Sequence, residues 1–161
     1  QSDIPVFENL RDIPGLTRNN EVINYVPSVF GYLEVPSINL KQYVVSGTDE
    51  MSLQYGPGHY MQTNLPGTGG NVGIAGHRTT YGAPFSRLDL LEVGDTIFLN
   101  SGGNKYYYEI DEKLIVDANE GEYVLYNRGD DRITLTTCHP KYSARQRLVI
   151  SGILFKIESG N

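Results

Sequence analysis

A thiol, an imidazole and a guanidinium stand where this chain is best equipped for covalent chemistry on a carbonyl. Cys138 is the single cysteine among 161 residues and closes a strand-like run, Arg132-Ile-Thr-Leu-Thr-Thr-Cys138. Arg147 follows nine positions later, and His77 lies far upstream in Gly73-Ile-Ala-Gly-His77-Arg78. A thiol at its ordinary pKa of about 8.5 is mostly protonated near neutrality, and a neighbouring imidazolium favours the nucleophilic thiolate. That imidazolium can afterwards give its proton to a leaving amine. A guanidinium adds fixed donors for a substrate carbonyl or a tetrahedral oxyanion. Together these are the parts of a cysteine acyl-transfer site.

Each residue also has a plainer reading. A free cysteine often does no more than fill a core. Here Pro140 cannot continue a ladder and biases His139 towards extended backbone, so the thiol stands where a strand feeds a loop. From Cys138 alone, core filler and nucleophile both remain open. Three histidines compete for the base. His139 adjoins Cys138, and neighbours on an extended segment point to opposite faces, which places it badly. His59, after a glycine-rich turn, serves equally well as a packing or hydrogen-bonding residue. His77 follows an apolar strand and a glycine, the same strand-end placement as Cys138, and geometry favours it. Arg147 reads either as a solvated strand-start charge or, if 132–137 and 148–157 pair antiparallel, as the residue across from the nucleophile. Arg145 lies on the same face by strand parity and is its rival. Arg78 should diverge from His77.

The elements that must hold these residues are mostly short strands. The alternation of Gly31-Tyr-Leu-Glu-Val35 is that of a half-buried strand, and Pro36 marks an edge or a bulge. Val44-Val45 follows, then a turn, with a helical turn over Met51–Tyr55. Asn71–Ala75 is a short apolar central strand, and Phe85–Leu91 a short helix or turn. Further strands are expected at Thr96–Asn100, Lys105–Val116, Tyr123–Leu125, Arg132–Thr137 and Leu148–Ile157, with Ser101-Gly-Gly-Asn104 as a hairpin loop. Arg18–Val26 is expected to form a short helix. Many short strands, Gly/Pro turns and few helices predict a mainly β fold, a closed or nearly closed barrel. The division that follows is an N-terminal extension over 1–30, partly helical and packed on the barrel, and a barrel domain over 31–161.

Composition narrows the partners. A net charge of −6 without any basic run argues against a nucleic-acid backbone as partner. No stretch approaches the roughly 18 apolar residues of a membrane span. The chain opens on Gln1 rather than Met, so an export or anchoring segment is expected ahead of it. No dinucleotide or Walker-type glycine fingerprint is present, and no cofactor is expected. Asp111-Glu112, Asp117, Glu120–Glu122 and Asp130-Asp131 lack calcium-loop spacing and read as solvated turns, with surface calcium a minor alternative. Tyr106-Tyr-Tyr108 reads as packing on both faces of a strand.

Thr134-Leu-Thr-Thr-Cys138 resembles the TLxTC signature of sortases, the cysteine transpeptidases of Gram-positive surfaces. Gly76-His77-Arg78 is similar to that family's catalytic histidine segment, and Arg147-Leu-Val-Ile to its arginine strand. The likeness runs from Gly31 to Phe155 and includes Gly31–Pro36, Gly56–Tyr60 and Leu65–Gly67. The longer segments Ala75–Phe85 and Thr137–Arg147 look most like class E sortases of actinobacteria. The resemblance implies an eight-stranded sortase-type barrel, with His77, Cys138 and Arg147 as triad. Tyr81, in the His77 loop, is our candidate for substrate selection, with Thr137 and Arg145 as further substrate-binding candidates. The resemblance further implies a membrane anchor, exported proteins bearing an LAxTG- or LPxTG-like signal as substrates, and a cell-wall amine as acceptor. A pilin-polymerising enzyme using a lysine amine is the alternative within the family. Residues 1–30 contain no Asp-Pro-aromatic lid element of the pilus-building class, although Asp12-Ile-Pro14 sits in a comparable region. The non-enzyme alternative is a surface β-barrel binding module with a structural cysteine.

Overall fold

The computed structural model describes residues 17–18, 21–22, 27–120 and 123–160. Two short strands, β1 (Thr17–Arg18) and β2 (Glu21–Val22), pair antiparallel where the sequence suggested a helix over 18–26. Two asparagines, whose side chains compete with helical hydrogen bonds, stand between them in the sequence. The rest of that expected helix, and the packing expected of the extension 1–30, lie outside the described residues.

The barrel begins with β3 (Val29–Val35), in which Gly31, Leu33 and Val35 are buried while the residues between them are not. Pro36 ends the strand by opening a 3-10 turn, Pro36–Ile38, and Asn39 in the left-handed region (φ 53°) turns the chain back. The return strand β4 (Leu40–Ser46) lies antiparallel to β3, with Val35 opposite Leu40. A short helix, α1 (Glu50–Leu53), is capped by Asp49, whose carboxylate accepts from the Ser52 amide at 3.2 Å. Next come β5 (Gly58–His59), too short for any sequence pattern, and β6 (Asn71–Ala75). A tight hairpin joins β7 (Thr96–Ser101) to β8 (Asn104–Asp117), and Gly102 and Gly103 supply its two positive φ angles, 60° and 86°. The last strands are β9 (Arg132–His139) and β10 (Gln146–Ser159).

Eight strands close the barrel in the order β10-β8-β7-β3-β4-β5-β6-β9, the mainly β architecture expected. Its interior holds Leu33, Val35, Ile74, Leu99, Tyr108, Ile133, Leu135 and Ile150, all fully buried. Each such side chain contributes roughly 1.5–3 kcal/mol of transfer free energy. Tyr106 and Tyr108 point into this core. Tyr107 lies on the other face, in edge contacts with Phe98 and Phe155.

Two expectations need correction. Tyr123–Leu125 is a 3-10 turn, not a strand. Val124 and Leu125 pack against Val149, and the Asn71 side-chain amide donates to the Val124 and Tyr126 carbonyls, which takes the place of ladder bonds at those two acceptors. Nor are the acidic residues all solvated turns. Arg132, 4% exposed, donates to both Asp111 and Asp130 and to the Ser151 hydroxyl. Burial opposes its charge, but these carboxylates outweigh it and hold its pKa above the ordinary value. The Arg132 guanidinium in turn holds the Asp130 carboxyl below the usual range.

Candidate active site

Parallel pairing of β6 with β9 builds the site. Ala75 lies beside Thr136, so both strands run out at the same rim of the barrel. Two hydrogen bonds staple the exits together. The Gly76 amide donates to the Thr136 carbonyl at 3.1 Å, and the buried Thr137 hydroxyl donates to the Gly76 carbonyl at 2.7 Å. Gly76 must be glycine for a packing reason: a Cβ there would meet the Phe85 ring at 2.6 Å. The Phe85 amide also donates to the His77 carbonyl at 3.1 Å, so this ring and its backbone carry the histidine segment.

His77 and Cys138, both half-buried, line one groove of about 390 Å³ with Arg78, Thr79, Thr80, Tyr142, Ser143 and Ala144. Arg147 is the ladder partner of Cys138 across the β9–β10 pair, as the antiparallel pairing required. Ladder partners share a face of the sheet. Its Nη1 donates to the Ala144 and Gln146 carbonyls at 2.8 and 3.1 Å, which ties it to the loop forming one wall of the groove.

The other candidates separate. Tyr81 is 55% exposed, sits at φ 51°, and holds its ring centroid 5.2 Å from that of His77. Thr137 lies outside the groove lining, its hydroxyl engaged with Gly76. Arg145 also lies outside it: β10 starts at Gln146, so strand parity does not reach Arg145, which stands exposed in the loop. His59 is a packing residue, stacked on Phe30 at 4.0 Å with Nε2 against the Thr63 hydroxyl and the Asn64 carbonyl. Burial pushes its pKa down. His139 pairs with Gln146, one step past Cys138 and therefore on the opposite face.

Sequence reasoning assigned Arg78 no role beyond diverging from His77, yet this arginine lines the same groove. It is 5% exposed, and its Nη1 donates to the Cys138 carbonyl at 2.8 Å. Its Nε donates to the Ser86 carbonyl, and Nη2 pairs with Asp89 at 3.1 Å. No spacing rule marks such an arginine, because its partners come from two other segments. No three His, Cys, Asp or Glu side chains gather as a metal site among the described residues.

A thiol and an imidazole on one groove, with an arginine as the ladder partner of the cysteine, suit nucleophilic acyl transfer. The sequence pattern of the sortase domain matches residues 33–154. The chain belongs to the sortase family. Sortase D of Bacillus subtilis (strain 168) is 35% identical over 125 residues, covering 76% of this chain and 62% of that protein. The chain therefore spans less than two thirds of that relative's length. Among solved structures, sortase A of Listeria monocytogenes superposes with a TM-score of 0.75 at 32% identity, covering 82% of this chain and 90% of the other. Sortase E1 of Streptomyces coelicolor, solved with a tripeptide in its active site, superposes with a TM-score of 0.76 at 26% identity, covering 82% and 91%. The sortase barrel of this chain thus matches solved members of the family over most of both chains.

Proposed function

We propose that residues 31–161 are the catalytic domain of a cysteine transpeptidase acting on sorting signals at the outer face of a bacterial membrane, reached through an anchor ahead of the domain. The reading is carried by one observation: the parallel β6–β9 pair brings His77 and Cys138 to one groove, with Arg147 as the ladder partner of Cys138 in the adjoining strand.

In this mechanism the Cys138 sulfur attacks the threonine carbonyl of an LAxTG- or LPxTG-like signal, and its proton passes to His77. Arg147 holds the substrate carbonyl and the tetrahedral oxyanion. The Thr–Gly C–N bond breaks as His77 protonates the departing glycine amine, which leaves a thioester on Cys138. An amine of a cell-wall precursor then attacks the thioester. His77 takes up the proton of that amine, and the thiol is regenerated as the amide product departs.

A class E housekeeping role is supported by the long Ala75–Phe85 and Thr137–Arg147 segments and by the likeness to sortase E1. Tyr81, its ring tilted against that of His77, is the residue we assign to motif selection. The test incubates the protein with LAxTG and LPxTG peptides and an amine, and follows the amide product by mass spectrometry. Turnover that is lost in Cys138→Ala, with the LAxTG peptide preferred, supports the reading. Full turnover in Cys138→Ala would end it. An unchanged motif preference in Tyr81→Phe and Tyr81→Leu would remove Tyr81 from that role.

A further inference from the structure

Resting on the transpeptidase reading, we propose that Arg78 is a positioning residue that sets the main chain of the nucleophile against the histidine segment. A buried guanidinium is costly unless acceptors surround it, so its partners describe what it is there to hold. Each of its three nitrogens has a protein acceptor: the Cys138 carbonyl, the Ser86 carbonyl and the Asp89 carboxylate. Three acceptors in three directions suit a planar fork and exceed what a lysine ammonium on a flexible stem can hold in one geometry.

The bond to the Cys138 carbonyl is the informative one. β9 ends at His139, so the peptide following Cys138 lies at the end of the ladder, where strand pairing constrains it least. Arg78 is also covalently joined to His77. One side chain therefore ties the segment that carries the imidazole to the backbone that carries the thiol. Asp89 anchors the guanidinium from outside. Its carboxylate is 43% exposed, and its own carbonyl accepts from Lys113 Nζ at 2.7 Å, which fixes the turn to β8. The connection runs from Lys113 through Asp89 and Arg78 to the nucleophile. Arg78 acts on orientation, and proton transfer between Cys138, His77 and substrate depends on that orientation more than binding does.

The test measures kcat and KM for a sorting-signal peptide in the wild type, Arg78→Gln, Arg78→Lys and Asp89→Asn, with iodoacetamide alkylation of Cys138 and circular dichroism in parallel. Both Arg78 variants are expected to lose about 10- to 100-fold in kcat, the scale of an ångström-sized misplacement. KM should stay within about twofold, since binding is not what Arg78 supports. Alkylation at about pH 10, which reads access to the sulfur rather than turnover, should be unchanged. Arg78→Lys should fail to rescue, because it keeps the charge and loses the fork. Asp89→Asn sits at the surface end of the connection and decides the matter should the Arg78 variants not fold; its kcat should fall about three- to tenfold.

A folded Arg78→Gln, or an Asp89→Asn, with wild-type kcat overturns the proposal. So does a loss of turnover that only tracks the folded fraction seen by circular dichroism, which would make Arg78 merely structural. A wild type without Cys138-dependent turnover overturns the transpeptidase reading and this proposal with it. A turning-over wild type matched by its variants overturns the proposal alone.

Discussion

Replacing Gly76 by alanine adds one methyl group at the point where the histidine segment rests on the core. The new Cβ would lie 2.6 Å from Phe85 Cδ2, 2.8 Å from Cγ and 2.9 Å from Cε2. Phe85 is 0% exposed, so its ring has no solvent to turn into. Inserting a methyl into such packing costs typically 1–3 kcal/mol, and three contacts below van der Waals distance place this case at about 2 kcal/mol. For a chain of this size that lowers Tm by about 4–8 °C. Because Gly76 precedes His77 and is stapled to Thr136 and Thr137, relief by backbone movement would displace the imidazole, and turnover should fall further than stability. The assay is urea unfolding with turnover in Gly76→Ala, Phe85→Leu and the double variant. Shortening the ring makes room for the methyl, so the double variant should be more stable than the sum of the single effects by about 1 kcal/mol. A Gly76→Ala protein within about 0.5 kcal/mol of wild type, or strictly additive effects, would refute the packing argument.

Thr137→Val keeps the shape and removes the hydroxyl donated to the Gly76 carbonyl. Stability should fall by about 1–3 kcal/mol in denaturant titration, with kcat reduced, because a buried carbonyl loses its partner at the joint between the two site strands. His59 supplies a pH signature. Burial holds its folded pKa below the unfolded value, so the unfolded state binds the proton more readily. Its contribution is complete above about pH 6.5 and is lost as pH falls from there towards the folded value. The urea midpoint should drop over that window, and His59→Gln should lose the part of the slope due to this residue. A slope identical in both proteins would count against the assignment.

Much of the barrel was legible because its strands carry strong local signals. Asn71–Ala75 is apolar and bounded by glycines, and β7 and β8 flank a Gly-Gly hairpin whose geometry only a few residue types permit. β5 was not legible, since two residues show no period. Tyr123–Leu125 has strand-forming side chains, but its Val124 carbonyl accepts from the Asn71 side chain rather than from a neighbouring strand, a tertiary contact no local propensity reports. Parity of alternation placed Arg147 beside Cys138 and rejected His139. It does not reach Arg145, which precedes the first residue of β10 and stands in the loop. Arg78 shows the deeper limit. Its acceptors at Ser86, Asp89 and Cys138 come together only after the parallel β6–β9 pair has formed, so its burial belongs to topology rather than to any motif.

Cys138 as the acyl carrier is tested most directly by intact-mass spectrometry of the protein mixed with a sorting-signal peptide and no amine. A thioester adduct is expected on Cys138 with the mass of the peptide up to its threonine, discharged by hydroxylamine as the hydroxamate. The adduct should be absent from Cys138→Ala and strongly reduced in His77→Ala. Cleavage of the Thr–Gly bond by Cys138→Ala at the wild-type rate, with no adduct on either protein, would contradict it.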